Sequence, residues 1–324
     1  MRTIVRPGAA PVVGTDGAAP DDASWPLPRL GLGRALLKSA RPKQWIKNGF
    51  VLVPIAFGGA IAPIPLARTV AVMAAFCLAS SSLYLINDIC DRDADRAHSR
   101  KRTRPIASGR LSIRAASTAA AIGLVVALSA TAAASPLAAT ALGLYMVLTI
   151  AYSVRLKDVV ILDVLIIASG FVIRIAAGAA ASSVVPSEWL LICTLFLALF
   201  LGFGKRYHEL LMLGETANDH RPVLNEYSRE SLNQFLGATM LGTLFSYVLY
   251  TFFSVNATNH RGLMVTIPFA VYGIFRYMLL VQTHSEGGSP EEILLSDRPI
   301  QLAAASWMVI ALAVIYLPHL SSAF

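Results

Sequence analysis

Apolar runs of about twenty residues recur along this chain, each closed by a short polar or charged break. A helix needs about 20 apolar residues to cross the hydrocarbon core of a bilayer. The pattern predicts nine transmembrane helices, at 48–66, 69–90, 112–134, 137–154, 159–181, 188–204, 232–253, 262–282 and 300–318. Most links between them are brief, such as "ASP" and "SVRLKD"; two are long and charged, 91–111 and 205–231. The first 26 residues are rich in Gly, Pro, Ala and Asp and show no periodicity, so they are predicted to be a disordered tail. Residues 27–324 then form a single transmembrane domain.

Composition agrees with an integral membrane protein. Residues are 56% hydrophobic and 14% charged, against roughly 25% charged in soluble domains. The placement of the +8 net charge says more than its size. Eight Lys and Arg precede the first predicted span, and eight more follow the second, counted to Arg114. The links after spans four and six add Arg155, Lys157, Lys205, Arg206, Arg221 and Arg229, while the odd-numbered links carry only Arg68 and Arg261. That alternation puts the N-terminus and the long loops in the cytoplasm and the C-terminus outside. The basic clusters border membrane spans and carry no recognition motif, so nucleic acid is not an expected partner. Cys77, Cys90 and Cys193 have no paired spacing, which excludes a disulfide framework or a thiolate zinc site.

The densest acidic cluster, "NDICDRDADR" at 87–96, directly follows the second apolar run. If that helix continues, a rotation of about 100° per residue brings Asn87, Asp91, Asp95 and Asp88 within about a quarter turn, with Asp93 on the far side. Carboxylates so crowded need a neutralising cation. Carboxylate and amide oxygens suit Mg²⁺, which keeps open positions for waters and phosphate oxygens. The alternative is a solvated loop whose aspartates pair with neighbouring arginines such as Arg104.

The string fits N-D-x-x-D-x-x-x-D and resembles the first aspartate-rich motif of the UbiA-type prenyltransferase superfamily. That resemblance implies an all-α bundle of nine transmembrane helices around a central cavity open to the cytoplasm. It also implies a Mg²⁺ ion held by Asn87, Asp88, Asp91 and Asp95, with the three aspartates catalytic. The family's second acidic motif, D-x-x-x-D, is missing: "GFGKRYHELLMLGE" stands in its place, with Lys205 and Arg206 where carboxylates are expected. Together with "RPKQWIKN" at 41–48, "YSVRLKDVVILDV" at 152–164, "HRPVLNEYS" at 220–228 and "EEILLSDRPI" at 291–300, this resembles one branch of the family. That branch moves phosphoribose from phosphoribosyl pyrophosphate onto decaprenyl or another polyprenyl phosphate, a step toward cell-wall arabinan, at the plasma membrane.

Such substrates gather much negative charge, and Lys43, Lys47, Arg104, Lys157, Lys205 and Arg206 are the cations available to oppose it. Lys43 and Lys47 lie four apart at the entry to the first span, beside Asn48. Tyr152 and Lys157 resemble the superfamily's Y-x-x-x-K pair with one extra residue between them. Asp163 is expected near the polar cavity, whereas Arg174 lies deeper and reads as structural. Gly202 and Gly204 are expected to end or bend the sixth span. Tyr207 and Glu209 are assigned to the ribose hydroxyls by resemblance alone. Two rivals stay open: a prenyltransferase using a prenyl diphosphate donor with an aromatic or haem acceptor, and a polyprenyl-phosphate carrier or transporter. Membrane lipids surround the bundle in every case, and self-association into a homo-oligomer is left open.

Overall fold

The computed structural model describes residues 31–58, 61–97, 101–213, 222–254, 261–283, 293 and 296–321. The predicted tail lies outside them, as do His220 and Arg221. The described residues are helical: α1 (Leu32–Ala40), a 3-10 segment (Pro42–Leu52), α2 (Val53–Phe57), α3 (Pro63–Cys90), α4 (Arg92–Ala97), α5 (Ile113–Ala134), α6 (Pro136–Val154), α7 (Leu162–Ser182), α8 (Glu188–Leu213), α9 (Arg229–Phe253), α10 (Ile267–Thr283) and α11 (Arg298–Ser321). Among the described residues eight helices are long and apolar enough to cross a membrane, making this a multi-pass membrane protein.

The predicted first span is where sequence and structure part. Instead of one helix over 48–66, the chain runs as the 3-10 segment and then α2, and α3 already begins at Pro63. A 3-10 helix rises about 2.0 Å per residue against 1.5 Å in an α-helix. The 3-10 segment and α2 therefore reach about 30 Å, the thickness of a bilayer core, with fewer residues than a regular helix needs.

Packing explains the unusual segment. A Cβ added to Gly178 of α7 would lie 1.9 Å from the backbone oxygen of Val51, so the two backbones touch there. One turn earlier, Arg174 donates from Nε to Asn48 Oδ1 at 2.8 Å and from Nη2 to Tyr145 Oη at 3.0 Å. Its guanidinium also lies over the Tyr145, Phe171 and Phe76 rings. Asn48 Nδ2 reaches Ser80 Oγ at 3.2 Å. A buried arginine thus ties the 3-10 segment to α3, α6 and α7 through neutral partners, the structural role expected of it.

Leu83, Phe76, Leu142, Tyr145 and Ile173 form the core between α3, α5, α6 and α7. Phe200, Phe203, Leu232, Leu236 and Tyr277 fill the core of the second half. The last helix returns to the first: Tyr316 Oη donates to the Ala56 carbonyl at 2.9 Å. Ion pairs and hydrogen bonds join the polar ends of α3, α6, α7, α8 and α9, which therefore collect at one end of the bundle.

Gly178→Ala forces the 3-10 segment off α7, and overpacking of this kind costs about 1–3 kcal/mol or more. The expected result is a lower unfolding temperature of the detergent-solubilised protein, measured by intrinsic fluorescence, whereas Gly143→Ala, with open space around its Cβ, leaves it unchanged.

Candidate active site

The acidic cluster sits where α3 ends. Helix geometry stops at Asp91 (φ −89°, ψ 3°) and resumes as α4, while the Asp95 amide still bonds the Asp91 carbonyl at 2.7 Å. The four predicted ligands separate into two pairs. Asp88 and Asp95, seven residues apart and both buried, converge on one guanidinium: Arg104 Nη1 lies 3.1 Å from Asp88 Oδ1 and 2.7 Å from Asp95 Oδ2. Asn87 and Asp91, four apart, are joined by an Asn87 Nδ2–Asp91 Oδ2 bond of 2.9 Å. Asp93 stands outside the group, 89% exposed, near Arg92 and Arg96.

Three cations from distant segments close on these carboxylates. Arg41 pairs with Asp88, Arg104 bridges Asp88 and Asp95, and Lys157 pairs with Asp91. The loop reading therefore holds in one respect, since Arg104 does neutralise two aspartates. The expected single face is divided: Asp88 and Asp95 meet on Arg104, while Asn87 and Asp91 bond each other. Among the described residues no three His, Cys, Asp or Glu side chains form a ready metal cage. The donor set still suits Mg²⁺, because that ion is commonly held by one or two carboxylates, with waters and substrate phosphates completing its shell. The meeting of two carboxylate oxygens on one Arg104 nitrogen shows that a single positive centre can be shared there.

Sequence reasoning counted Arg41 only as a membrane-anchoring charge. It occupies the left-handed region (φ 52°, ψ 62°) between α1 and the 3-10 segment, with its guanidinium 4.8 Å from the Tyr84 ring. The junction is fixed on α3 by Trp45 Nε1, which donates to Ser81 Oγ at 3.0 Å, and by Ser81 Oγ, which donates to the Ala40 carbonyl. Its place in "RPKQWIKN" was the one available signal.

A second polar group lies beside the first. Asp163, fully buried at the start of α7, accepts from Arg206 Nε at 2.7 Å and from Tyr227 Oη at 2.9 Å. Arg206 Nη1 also bonds Glu209 Oε2 at 2.6 Å. This corrects the view of Lys205 and Arg206 as a cationic pair. Helix α8 does not end at Gly202 and Gly204 but continues to Leu213, so consecutive residues point about 100° apart. Lys205 is exposed, and Arg206 is buried between two carboxylates. Gly202 serves close packing: a Cβ there would meet Val164 Cγ1 at 2.5 Å.

The other predicted contacts divide by position. Lys43 is exposed and Lys47 half-buried on the 3-10 segment, near the acidic end. Asn48 is buried and its amide is spent on Arg174, Ser80 and Cys77. Tyr207 packs in the apolar cluster with Phe203 and Leu232 rather than facing a polar space. Glu209 stays partly exposed. Tyr152 ends α6 within electrostatic reach of Arg206. The extra residue before Lys157 is absorbed by a break at Arg155 (φ −148°, ψ −38°), which starts a new 3-10 turn and carries Lys157 to Asp91.

Comparison with known proteins bears on the family and the fold. Residues 51–291 match the UbiA prenyltransferase family. The chain is 33% identical over 298 residues to decaprenyl-phosphate phosphoribosyltransferase of Corynebacterium glutamicum, covering 90% of this chain and 89% of that one. It is 35% identical over 303 residues to the protein of the same name from Mycolicibacterium smegmatis, covering 89% and 95%. A UbiA homologue from Archaeoglobus fulgidus, solved bound to DMAPP and Mg²⁺, superposes with a TM-score of 0.67 at 20% identity, covering 87% of this chain and 99% of that one. A bundle of this architecture, with an N-D-x-x-D-x-x-x-D cluster at the end of α3 and a family match over most of its length, belongs to the UbiA prenyltransferase family.

Proposed function

We propose that this protein transfers 5-phosphoribose from phosphoribosyl pyrophosphate to decaprenyl phosphate, giving decaprenylphosphoryl-5-phosphoribose and diphosphate. The observation that carries the reading is end-to-end similarity to proteins named for that reaction. The geometry supports it, because three cations and three carboxylates face one another at the polar end of the bundle. That arrangement suits substrates that bring both phosphate charge and a metal. Residues 27–324 act as one catalytic domain, and the polar end faces the cytoplasm of a plasma-membrane protein in accord with the positive-charge bias.

The chain's residues divide the work. Asn87, Asp88, Asp91 and Asp95 are the oxygen donors for Mg²⁺. Bound there, the ion supplies charge neutralisation to the departing diphosphate. Arg41, Arg104 and Lys157 move from carboxylates to phosphate oxygens when the donor enters, so their positive charge is kept within the site. Lys43, Lys47 and Lys205 add positive potential at the rim. An oxygen of the acceptor phosphate forms the new bond to the anomeric carbon as the bond to diphosphate breaks. That phosphate is already mostly ionised near neutral pH, its second pKa being about 6, so no strong general base is required. Asp163, Arg206, Tyr152 and Glu209 form the adjoining wall; Asn48 and Tyr207 hold backbone and core behind it.

Purified protein given Mg²⁺, radiolabelled phosphoribosyl pyrophosphate and decaprenyl phosphate should move label into the organic phase, and excess chelator should stop it. Transfer only from a prenyl diphosphate to an aromatic acceptor would instead identify a prenyltransferase. Asp91→Ala is expected to slow transfer by about 100-fold or more, since a few kcal/mol of charge stabilisation is lost. Its unfolding temperature should stay near that of the parent, because Asp91 is partly exposed and, among the described residues, its side chain ties down Asn87 and Lys157. Collapse of the fold with that change would count against the metal role.

A further inference from the structure

The link between Lys157 and α7 contains the most strained backbone among the described residues. Ile161 has φ 67° and ψ −45°, and the Leu162 amide bonds the Val160 carbonyl at 2.7 Å across it. This is a γ-turn of the rare, strained hand, centred on a β-branched residue for which positive φ is a true outlier. Such strain persists only where surrounding structure enforces it.

One side chain supplies that enforcement. Tyr227 Oη accepts a hydrogen bond from the Ile161 amide at 2.6 Å and donates one to Asp163 Oδ1 at 2.9 Å. It thus bonds the turn's apex and the first turn of α7 at once. Tyr227 is itself well anchored. Val223 and Leu224 beside it are buried, and the next residue, Ser228, caps α9 through a reciprocal bond pair with Ser231. Burial pushes the Tyr227 phenol above its usual range, so it remains a donor to Asp163 at any working pH. On the other side of the turn, three residues connect Ile161 to Lys157, whose ammonium pairs with Asp91.

We propose that Tyr227 is a positioning residue for Lys157: it clamps the strained turn at Ile161 and thereby holds the lysine against the aspartate cluster. Tyr227 touches neither group of the Lys157–Asp91 pair; its effect passes through the backbone of 158–161. The cytoplasmic segment before α9 is thereby coupled to the acidic motif at the end of α3, although neither contains the other's charged residues. The kinetic consequence rests on the function proposed above, while the placement of Lys157 does not.

The test separates the two. In detergent, the protein is acylated briefly with an amine-reactive ester, and labelling of Lys157 is read by mass spectrometry against exposed Lys43 as internal standard. Tyr227→Phe should raise Lys157 labelling by about threefold or more, the effect of losing a buried hydrogen bond. Adding Ile161→Gly should restore much of the protection, because glycine takes positive φ without strain; Ile161 is itself exposed, so little packing is lost. Unchanged Lys157 labelling in Tyr227→Phe, or no recovery on adding Ile161→Gly, would overturn the proposal. In the transfer assay, Tyr227→Phe should raise KM for the phosphoribosyl donor about fivefold and add nothing to Lys157→Gln. Additive losses would place Tyr227 on a separate path and also overturn it. A parent enzyme inactive in that assay would sink the function reading alone, leaving labelling to decide the turn.

Discussion

Carboxylates and guanidinium groups share a site that is largely shut off from water at the end of α3, and neither set could be there without the other. Asp88 and Asp95 are almost wholly buried. A buried charge without a partner costs several kcal/mol, and removing one partner of a buried pair costs about 3–5 kcal/mol. The partners come from three places: the junction before the 3-10 segment, the loop after α4, and the break after α6. Each of these segments is held in turn by its own contacts, Arg41 by Tyr84 and the Trp45–Ser81 bond, Lys157 by the turn that Tyr227 clamps. Charge balance at one point thus organises the whole polar end of the bundle.

A site built this way is suited to polyanions. Its cations are already partly desolvated and oriented by carboxylates, so under the proposed function little reorganisation is needed when phosphates take the carboxylates' place. The Asp163–Arg206–Glu209 group has a different character. There the guanidinium is enclosed by two carboxylates, one of them also bonded by Tyr227, which makes it a closed wall rather than an open grip. Where the family's second acidic motif would stand, this chain supplies a buried arginine held between Asp163 and Glu209, with an exposed lysine beside it.

The apolar half of the structure was legible in the sequence. Eight of the predicted spans, from 69–90 onward, coincide with long helices to within a few residues at most ends, because a bilayer demands a fixed length of apolar chain. The segment 48–66 was misread, since hydropathy cannot distinguish a 3-10 rise from an α rise, and contact with Gly178 decided it. The end of α8 was misread for a related reason. Gly202 looked like a helix breaker, but it marks a close approach to Val164, and the helix runs on past Lys205, Arg206 and Glu209.

For the site, spacing alone put Asn87, Asp88, Asp91 and Asp95 on one helix face and set Asp93 apart, because those relations are local to one helix turn or two; their division into Asp88 with Asp95 and Asn87 with Asp91 came from the partners that reach them. Charge placement marked Arg104, and the resemblance marked Lys157, as cations of interest. Nothing local could show that Arg41 belongs with them, that Arg206 turns inward while Lys205 turns out, or that Tyr227 meets Asp163 from 64 residues away. Those outcomes depend on which helix ends meet, and on the energetic cost of leaving any buried charge or amide alone once they do. Residue order determined the membrane-spanning framework and the chemical character of its polar end; only the packed bundle decided which charge faces which.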